Sequence, residues 1–180
     1  MERQEAPGDL EHVRSFVNTL DVESGDDELS SPDALAAWLA GEGLMPSGQV
    51  ARADLDSARR LREAIRALLL GNNGVSVRQE AALTLNRAAE NAVLGLRFDS
   101  SGAARLEPAA GGVDGALGRL LAIVTGAMAD GSWARLKACR ADDCRWAFYD
   151  HARNRSRHWC SMAVCGNRTK ARTYRRRHSA

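Results

Sequence analysis

The stretch that decides the fold reads Cys139-Arg-Ala-Asp-Asp-Cys144 and, 15 residues further on, Cys160-Ser-Met-Ala-Val-Cys165-Gly-Asn-Arg168. All four cysteines of the chain lie within these segments, as two C-x4-C pairs. A tetrahedral Zn²⁺ takes four such ligands, and two short pairs joined by one loop bring them together at low entropic cost. The spacing therefore predicts one structural Zn²⁺, bound by Cys139, Cys144, Cys160 and Cys165.

Two other uses of four cysteines compete with a metal site. Two disulfides need an oxidising compartment, and the segment from Met1 to Asp9 lacks the basic and apolar parts of a secretory signal. Four free, buried cysteines would more often be scattered along a chain than gathered in pairs. Zinc is thus the interpretation that the spacing favours.

The residues around the cysteines resemble the CGNR zinc finger. The resemblance runs from about Leu136 to Arg177 and keeps all four ligand positions. It implies a small C-terminal domain of bacterial proteins that regulate transcription, and it implies DNA binding. The residues that carry it are Phe148-Tyr149-Asp150, Ser156-Arg157, Trp159-Cys-Ser-Met162 and Cys165-Gly-Asn-Arg168.

Three short motifs stand in the preceding part of the chain: Phe16-Val-Asn-Thr19, Pro32 with Trp38-Leu39, and Leu61-Arg-Glu-Ala-Ile-Arg66. With them this part resembles the ABATE domain, which commonly precedes the CGNR finger. Each motif is short, and the resemblance rests on their order and on the finger that follows them. The two resemblances together cover nearly the whole chain.

The apolar pattern predicts a mainly α lobe with a small β-hairpin, over residues 1–130, and a treble-clef-like four-cysteine zinc finger, made of a hairpin and a helix, over residues 131–180. Ser31-Pro32 supplies a helix cap and a first-turn proline, and Gly71-Asn-Asn-Gly74 ends the longest helix. Helices are predicted near residues 9–20, 32–40, 50–70, 77–91, 113–128 and 167–178, and strands near residues 93–98, 103–107, 133–137, 145–150 and 157–159.

Charge is divided unevenly along the chain. Residues 135–180 carry 13 Lys and Arg against three acidic residues, whereas residues 1–134 have a net charge of −8. Such polarity predicts that the C-terminal part meets a polyanion. The alternative is that these basic residues form a solvated tail that binds no partner. Six of the nine aromatic residues lie in residues 132–180, which is too many for a mere tail.

The predicted terminal helix is basic around most of its circumference. Guanidinium groups suit both guanine edges and phosphate oxygens, and most of these arginines should contact phosphates. Asn167 can reach an adenine edge, although capping the helix is its favoured role. The predicted contacts with duplex DNA are Arg153, Arg155, Arg157, Asn167, Arg168, Lys170, Arg172, Arg175, Arg176 and Arg177.

Two other partners for the finger stay open at this point. RNA attracts the same charges, but single strands need exposed aromatic platforms. Trp146, Phe148 and Trp159 are more simply explained as the small core of the finger. Acidic protein surfaces of the transcription machinery are the second alternative.

Three polar residues fall where the helical lobe should be apolar. Arg62 lies on the stripe of Ala58 and Ile65, Arg66 follows one turn later, and Asn18 lies on the first helix. One interpretation is an internal hydrogen-bonded network that fixes helix packing. The other is a sensing pocket in which Asn18, Arg62 and Arg66 contact an anionic or polar small-molecule effector.

Enzyme motifs are absent from the sequence, which has no Gly-rich phosphate loop and no HExxH motif. The longest apolar tract, near residues 120–129, is shorter than a membrane span requires. We therefore expect a cytoplasmic regulator that has no catalytic residues and no membrane partner. Duplex DNA is the expected partner. A regulator of this kind can also bind a small-molecule effector and form a homodimer.

Overall fold

The computed structural model describes residues 5–46 and 48–178, without the side chains of Thr173 and Arg177. About half of the chain is helical, and two small antiparallel hairpins complete it. The predicted fold class, a mainly α lobe with a small hairpin and a C-terminal four-cysteine finger, is confirmed. The elements are α1 (Leu10–Asn18), α2 (Pro32–Gly41), α3 (Arg52–Gly71), α4 (Gln79–Asn91), β1 (Leu94–Phe98), β2 (Ala104–Pro108), α5 (Gly112–Asp130), β3 (Leu136–Ala138), β4 (Ala147–Tyr149) and α6 (Asn167–His178).

The helical lobe is built around α3, which packs against α1, α2, α4 and α5. Its residues Leu55, Leu61 and Ile65 are fully buried, because they recur on one face of the helix. The start of α2 follows the sequence prediction: the Ser31 hydroxyl accepts a hydrogen bond from the backbone N–H of Ala34 at 3.1 Å. The apolar residues that recur every three or four positions along the helices therefore form the core of the lobe.

The first hairpin, β1–β2, lies against α5 through β2. Gly118 of α5 permits this approach: a Cβ there would lie 2.5 Å from the Cβ of Ala92 and 2.9 Å from that of Pro108. Within the described ranges, α5 is also the one helix long and apolar enough, by composition alone, to cross a membrane. Half of that apolar stretch is buried inside the protein, and packing of this kind accounts for the same composition.

The second hairpin, β3–β4, belongs to the core of the helical lobe, although Cys139 and Cys144 lie at its turn. Leu136, Ala138 and Ala147 are fully buried in the main core, and Tyr149 joins them. The end of α5 at Asp130 therefore coincides with the predicted boundary between the parts, but the core continues past it. One hydrophobic core therefore includes residues from the helices and from the β3–β4 hairpin.

The predicted return strand at residues 157–159 is wrong. The partner of β4 is β3, with Leu136 opposite Tyr149 and Ala138 opposite Ala147. Residues 157–159 have no strand conformation. Alternation over 145–150 was a sound signal for β4, but alternation alone does not identify the partner of a strand.

Candidate metal centre and nucleic-acid interface

The four cysteine sulfurs form one cluster, in which all Sγ atoms lie within 4.8 Å of one another. The Sγ of Cys160 lies 3.6 Å from that of Cys144 and 3.7 Å from that of Cys165. Tetrahedral Zn–S bonds of about 2.3 Å place neighbouring sulfurs about 3.8 Å apart. A disulfide would bring them to about 2.05 Å. The spacing therefore fits four ligands of one zinc, and the four cysteines are free.

The first cysteine pair lies at the turn of the β3–β4 hairpin. The N–H of Cys139 donates to the carbonyl of Trp146 at 2.9 Å, which extends the ladder by one bond. The N–H groups of Cys144 and Arg145 both donate to the carbonyl of Ala141, at 3.1 and 3.2 Å. Arg145 takes a left-handed backbone conformation, with φ of 54°. This tight turn points both thiols of the pair toward the same place.

The second cysteine pair lies where the finger turns into its helix. A single wide turn, Met162–Gly166, carries Cys165 and runs directly into α6. Ser161 caps it: its hydroxyl accepts from the N–H of Val164 at 3.3 Å, and its carbonyl accepts from the N–H of Gly166 at 3.1 Å. A metal bound at Cys165 therefore fixes the position of the helix.

Four thiolates this close together repel one another unless a cation balances their charge. Hydrogen bonds with Cys144 and Cys160 lower the pKa of Cys139. The hydrogen bonds with Cys139 are the largest cause that raises the pKa of Cys144 and of Cys160. Burial raises the pKa of Cys165. A divalent cation replaces these protons, so that zinc binding releases protons from the finger.

Two family models match the chain. The ABATE domain, described as "Putative stress-induced transcription regulator", matches residues 13–153. The chain belongs to the ABATE family. The CGNR zinc finger matches residues 135–178, and no curated protein matches the chain. The two matches overlap at residues 135–153, which contain the β3–β4 hairpin that lies in the core of the lobe and carries the first ligand pair.

These findings identify the metal. A CGNR zinc finger with four cysteine sulfurs at ligand spacing holds a single structural zinc, as the sequence predicts. Trp146, Trp159 and Ala141 pack against the cysteines. In this ABATE protein Trp146 and Trp159 therefore pack as the predicted small core of the finger. Phe148, the third aromatic residue predicted there, is buried but does not belong to the cluster around the cysteines.

Side chains of the helical lobe hold the backbone of the finger. Asn18 bonds both backbone groups of Ala147, and Arg66 donates to the carbonyl of Arg145 at 2.9 Å. Asn72 donates to the carbonyls of Trp133 and Leu136, each at 2.8 Å.

Asn73 completes this set from the same turn as Asn72. It is buried, and its amide nitrogen donates to the carbonyls of Ala138 and His158, each at 2.8 Å. Its amide oxygen lies 2.6 Å from Nδ1 of His158. The sequence marked these two asparagines only as the end of a helix, because a turn signal does not reveal which backbone groups its amides reach.

The residues predicted to contact an effector lie in an internal network. Arg62 is 3% exposed and donates to Asp27 at 2.6 Å and to the hydroxyl of Thr19 at 3.1 Å. Arg66, 4% exposed, also donates to the carbonyl of Val17 at 2.7 Å. Asn18 is bonded to the finger as well, so all three side chains take part in an internal hydrogen-bonded network, as the first interpretation predicts. Effector binding by them stays a prediction, and it requires a ligand to displace these bonds.

A buried ion pair supports the loop between the two halves of the finger. Nζ of Lys137 lies 2.8 Å from Oδ2 of Asp150, and both side chains are almost completely buried. Asp150 also accepts the N–H groups of Ala152 and Arg157, each at 3.0 Å. Burial alone would raise the pKa of Asp150, but the hydrogen bond from Lys137 and the two N–H bonds lower it. Sequence reasoning missed Lys137, since a lysine in a short strand looks solvent-exposed.

The helix α6 presents a group of the predicted DNA contacts to solvent. Lys170, Arg172, Arg175 and Arg176 are exposed, and the side chain of Arg177 lies outside the described residues. Together with Arg140, which follows Cys139 in the first cysteine pair, Arg172, Arg175 and Arg176 line a cleft of about 590 Å³. Arg140 was absent from the prediction, because it precedes the helix by almost 30 residues.

Other predicted contacts are engaged within the protein. Arg168 is partly buried and pairs with Glu23 of the helical lobe at 2.7 Å and with Asp143 at 3.1 Å. The amide of Asn167 donates to the carbonyl of Ala163 at 3.1 Å, a bond that belongs to the start of the helix. Arg157 is half-buried, whereas Arg153 and Arg155 are exposed in the loop before it.

Proposed function

We propose that the protein is a zinc-dependent transcription regulator whose finger binds duplex DNA. The family description supports a regulator of transcription. The observation that carries DNA binding is the exposed basic surface of α6, formed by Lys170, Arg172, Arg175 and Arg176 on a helix that the zinc site fixes. Clustered arginines on one rigid element are the electrostatic footprint of a nucleic-acid-binding surface.

The dimensions of α6 suit a duplex. Its 12 residues extend for about 18 Å at 1.5 Å per residue. A helix of this width enters the major groove of DNA, which is about 12 Å wide. Arg140 faces the helix across the cleft, so a phosphate backbone can lie between them. Arg168 is a docking residue in this proposal, because Glu23 and Asp143 already neutralise it.

The helical lobe is the regulatory part in this proposal. Its hydrogen bonds to the finger, through Asn18, Arg66, Asn72 and Asn73, couple the orientation of the finger to the packing of the lobe. A small-molecule effector that shifts α1 or α3 would thereby alter DNA binding. A cytoplasmic location, a homodimer and the lack of catalysis belong to the same proposal.

Fluorescence anisotropy with a random-sequence duplex tests DNA binding. If about six phosphates are neutralised, the log–log slope of affinity against salt is near −5. The triple variant Arg172→Ala/Arg175→Ala/Arg176→Ala should weaken binding on all sequences alike. A control with the same charge loss removes Arg52, Arg78 and Arg87, which are exposed on the helical lobe.

Other outcomes decide between the alternatives. A flat salt response, or equal weakening by the triple variant and its control, would contradict the proposal. Single-stranded RNA and an acidic protein are titrated under the same conditions. Tighter binding to either of them than to the duplex would favour the corresponding alternative. Exposed aromatic platforms for single strands are scarce in the described finger, where Tyr174 stacks on His178 at 4.0 Å between ring centroids.

A further inference from the structure

A cleft opens onto the zinc ligands from the side of the helical lobe. Its volume is about 280 Å³, and its walls include Cys144, Cys160 and Cys165. Asp21 and Glu23 of the lobe also line it. Cys160 is half-buried, whereas the other three cysteines are buried and Cys139 is not part of the cleft. A small molecule can therefore reach Cys160 without unfolding the finger.

We propose that Cys160 is a modification site for hydrogen peroxide. A thiolate in an accessible place is the nucleophile that peroxide oxidises, and a second sulfur nearby makes the oxidation end in a disulfide. The sulfurs of Cys144 and Cys165 lie 3.6 and 3.7 Å from that of Cys160. Glu23 is paired with Arg168, so the size of the cleft and not its charge selects the oxidant: about 280 Å³ admits a small molecule more readily than a bulky one such as glutathione disulfide.

The reaction balances in two steps. In the zinc-bound finger, where the cation has replaced the thiol protons, the Cys160 thiolate attacks one peroxide oxygen: an S–O bond forms, the O–O bond breaks, and hydroxide leaves. The thiolate of Cys144 or Cys165 then attacks the Cys160 sulfur: an S–S bond forms, the S–O bond breaks, and a second hydroxide leaves. The two sulfurs lose two electrons in total, and the peroxide gains both. Two cysteines thereby leave the ligand set.

The consequence falls on α6 because the two halves of the finger are anchored differently. The first ligand pair sits on a hairpin that is buried in the main core and bonded by Asn18 and Asn73. Among the described elements, α6 packs closely only against the preceding turn, Met162–Gly166. The ion pairs of Arg168 and Arg172 with Glu23 and Asp143 also contact the helix, but surface pairs of this kind contribute little to stability. Ligand loss therefore releases the helix and leaves the hairpin in place. The resulting loss of duplex binding rests on the proposed function, but the modification itself does not.

The test treats the zinc-loaded full chain with hydrogen peroxide. Zinc release is followed with a chromogenic chelator, and the cysteines are mapped by alkylation and mass spectrometry. We expect one zinc released per chain, Cys160 in a disulfide, and Cys139 still alkylated as a free thiol. Glutathione disulfide, which is much bulkier than peroxide, should release zinc at least about tenfold more slowly. Zinc retention under peroxide, or Cys139 in the first disulfide formed, would overturn the proposal.

A substitution at the cleft entrance tests whether peroxide reaches Cys160 through the cleft, because it leaves all four cysteines unchanged. Val164 lines the cleft and is 47% exposed, so Val164→Phe fills the entrance and leaves every ligand in place. We expect zinc release by peroxide to slow about tenfold in this variant. Val77→Phe, at an exposed valine outside the finger, is the matched control and should react like the parent protein. Equal rates for both variants would refute access through this cleft. A chain that reacts in this way but never binds a duplex would refute the proposed function alone.

Discussion

Asn18 bonds the backbone of Ala147 at both of its polar groups. Its Nδ2 donates to the carbonyl oxygen at 2.9 Å, and its Oδ1 accepts from the N–H at 2.7 Å. The two residues are 129 positions apart, one at the end of α1 and the other on β4. The side chain acts as an additional strand partner for the finger hairpin. It joins the lobe and the metal site into one unit.

Asn18→Ala should destabilise the zinc-loaded protein by about 2–4 kcal/mol. The buried N–H and C=O of Ala147 lose their partner, and each unsatisfied group costs about 1–3 kcal/mol. Chemical denaturation measures the change. Asn91→Ala, at an exposed asparagine, should stay within about 0.5 kcal/mol of the parent. Equal stabilities for the two variants would show that Asn18 is dispensable for the junction.

The pair of Asp27 and Arg62 predicts a defined acid sensitivity. Burial would raise the pKa of Asp27, but the hydrogen bond and charge of Arg62 outweigh it and lower the pKa. A folded-state pKa below the unfolded value stabilises the protein fully above the ordinary aspartate pKa of about 3.9, and this stability is lost as the pH falls through the folded value. Asp27→Asn should therefore cost about 2 kcal/mol at neutral pH.

The difference between the Asp27→Asn variant and the parent should shrink as the pH falls below about 4. Denaturant midpoints recorded from neutral to acid pH measure it. Asp26→Asn, at the exposed neighbouring acid, is the control and should show no such pattern. A difference that is constant over this pH range would exclude the ion pair as its source.

The buried pair of Lys137 and Asp150 should show strong coupling. Lys137→Met leaves a buried carboxylate unpaired, which costs about 3–5 kcal/mol. Adding Asp150→Asn removes that charge. The amide oxygen can keep the N–H of Ala152, whereas the N–H of Arg157, which bonds the other carboxylate oxygen, loses its acceptor. The double variant should therefore be more stable than Lys137→Met alone. Additive losses in the double-mutant cycle would contradict a coupled pair.

Much of the fold was readable from the sequence because its signals are local. Caps such as Ser31 and the 3/4 apolar spacing located the helices to within a few residues, and the paired cysteines predicted the zinc. The partner of β4 was not readable, since strand pairing depends on tertiary contacts. For the same reason the sequence indicated only a turn at Asn73 and not its bonds to the finger. It also did not reveal that Arg168, a predicted DNA contact, pairs with Glu23 and Asp143.

Asp143→Asn should tighten duplex binding. The Asp143 carboxylate pairs with Arg172 at 2.7 Å and with Arg168 at 3.1 Å, and it places a negative charge beside the proposed phosphate path. Removing it should raise duplex affinity about three- to tenfold at low salt. Asp56→Asn, on α3, is the control for charge alone. Weaker binding by Asp143→Asn would mean that its ion pairs orient α6 for DNA.

The most direct test compares duplex affinity before and after zinc removal from the same full chain, by anisotropy at one salt concentration. Circular dichroism confirms that the helical lobe persists. The zinc-loaded chain should contain one zinc and bind the duplex, and the zinc-free chain should lose at least about tenfold in affinity, because α6 is no longer held against the hairpin. A zinc-free chain that binds the duplex as tightly as the loaded one would contradict the account.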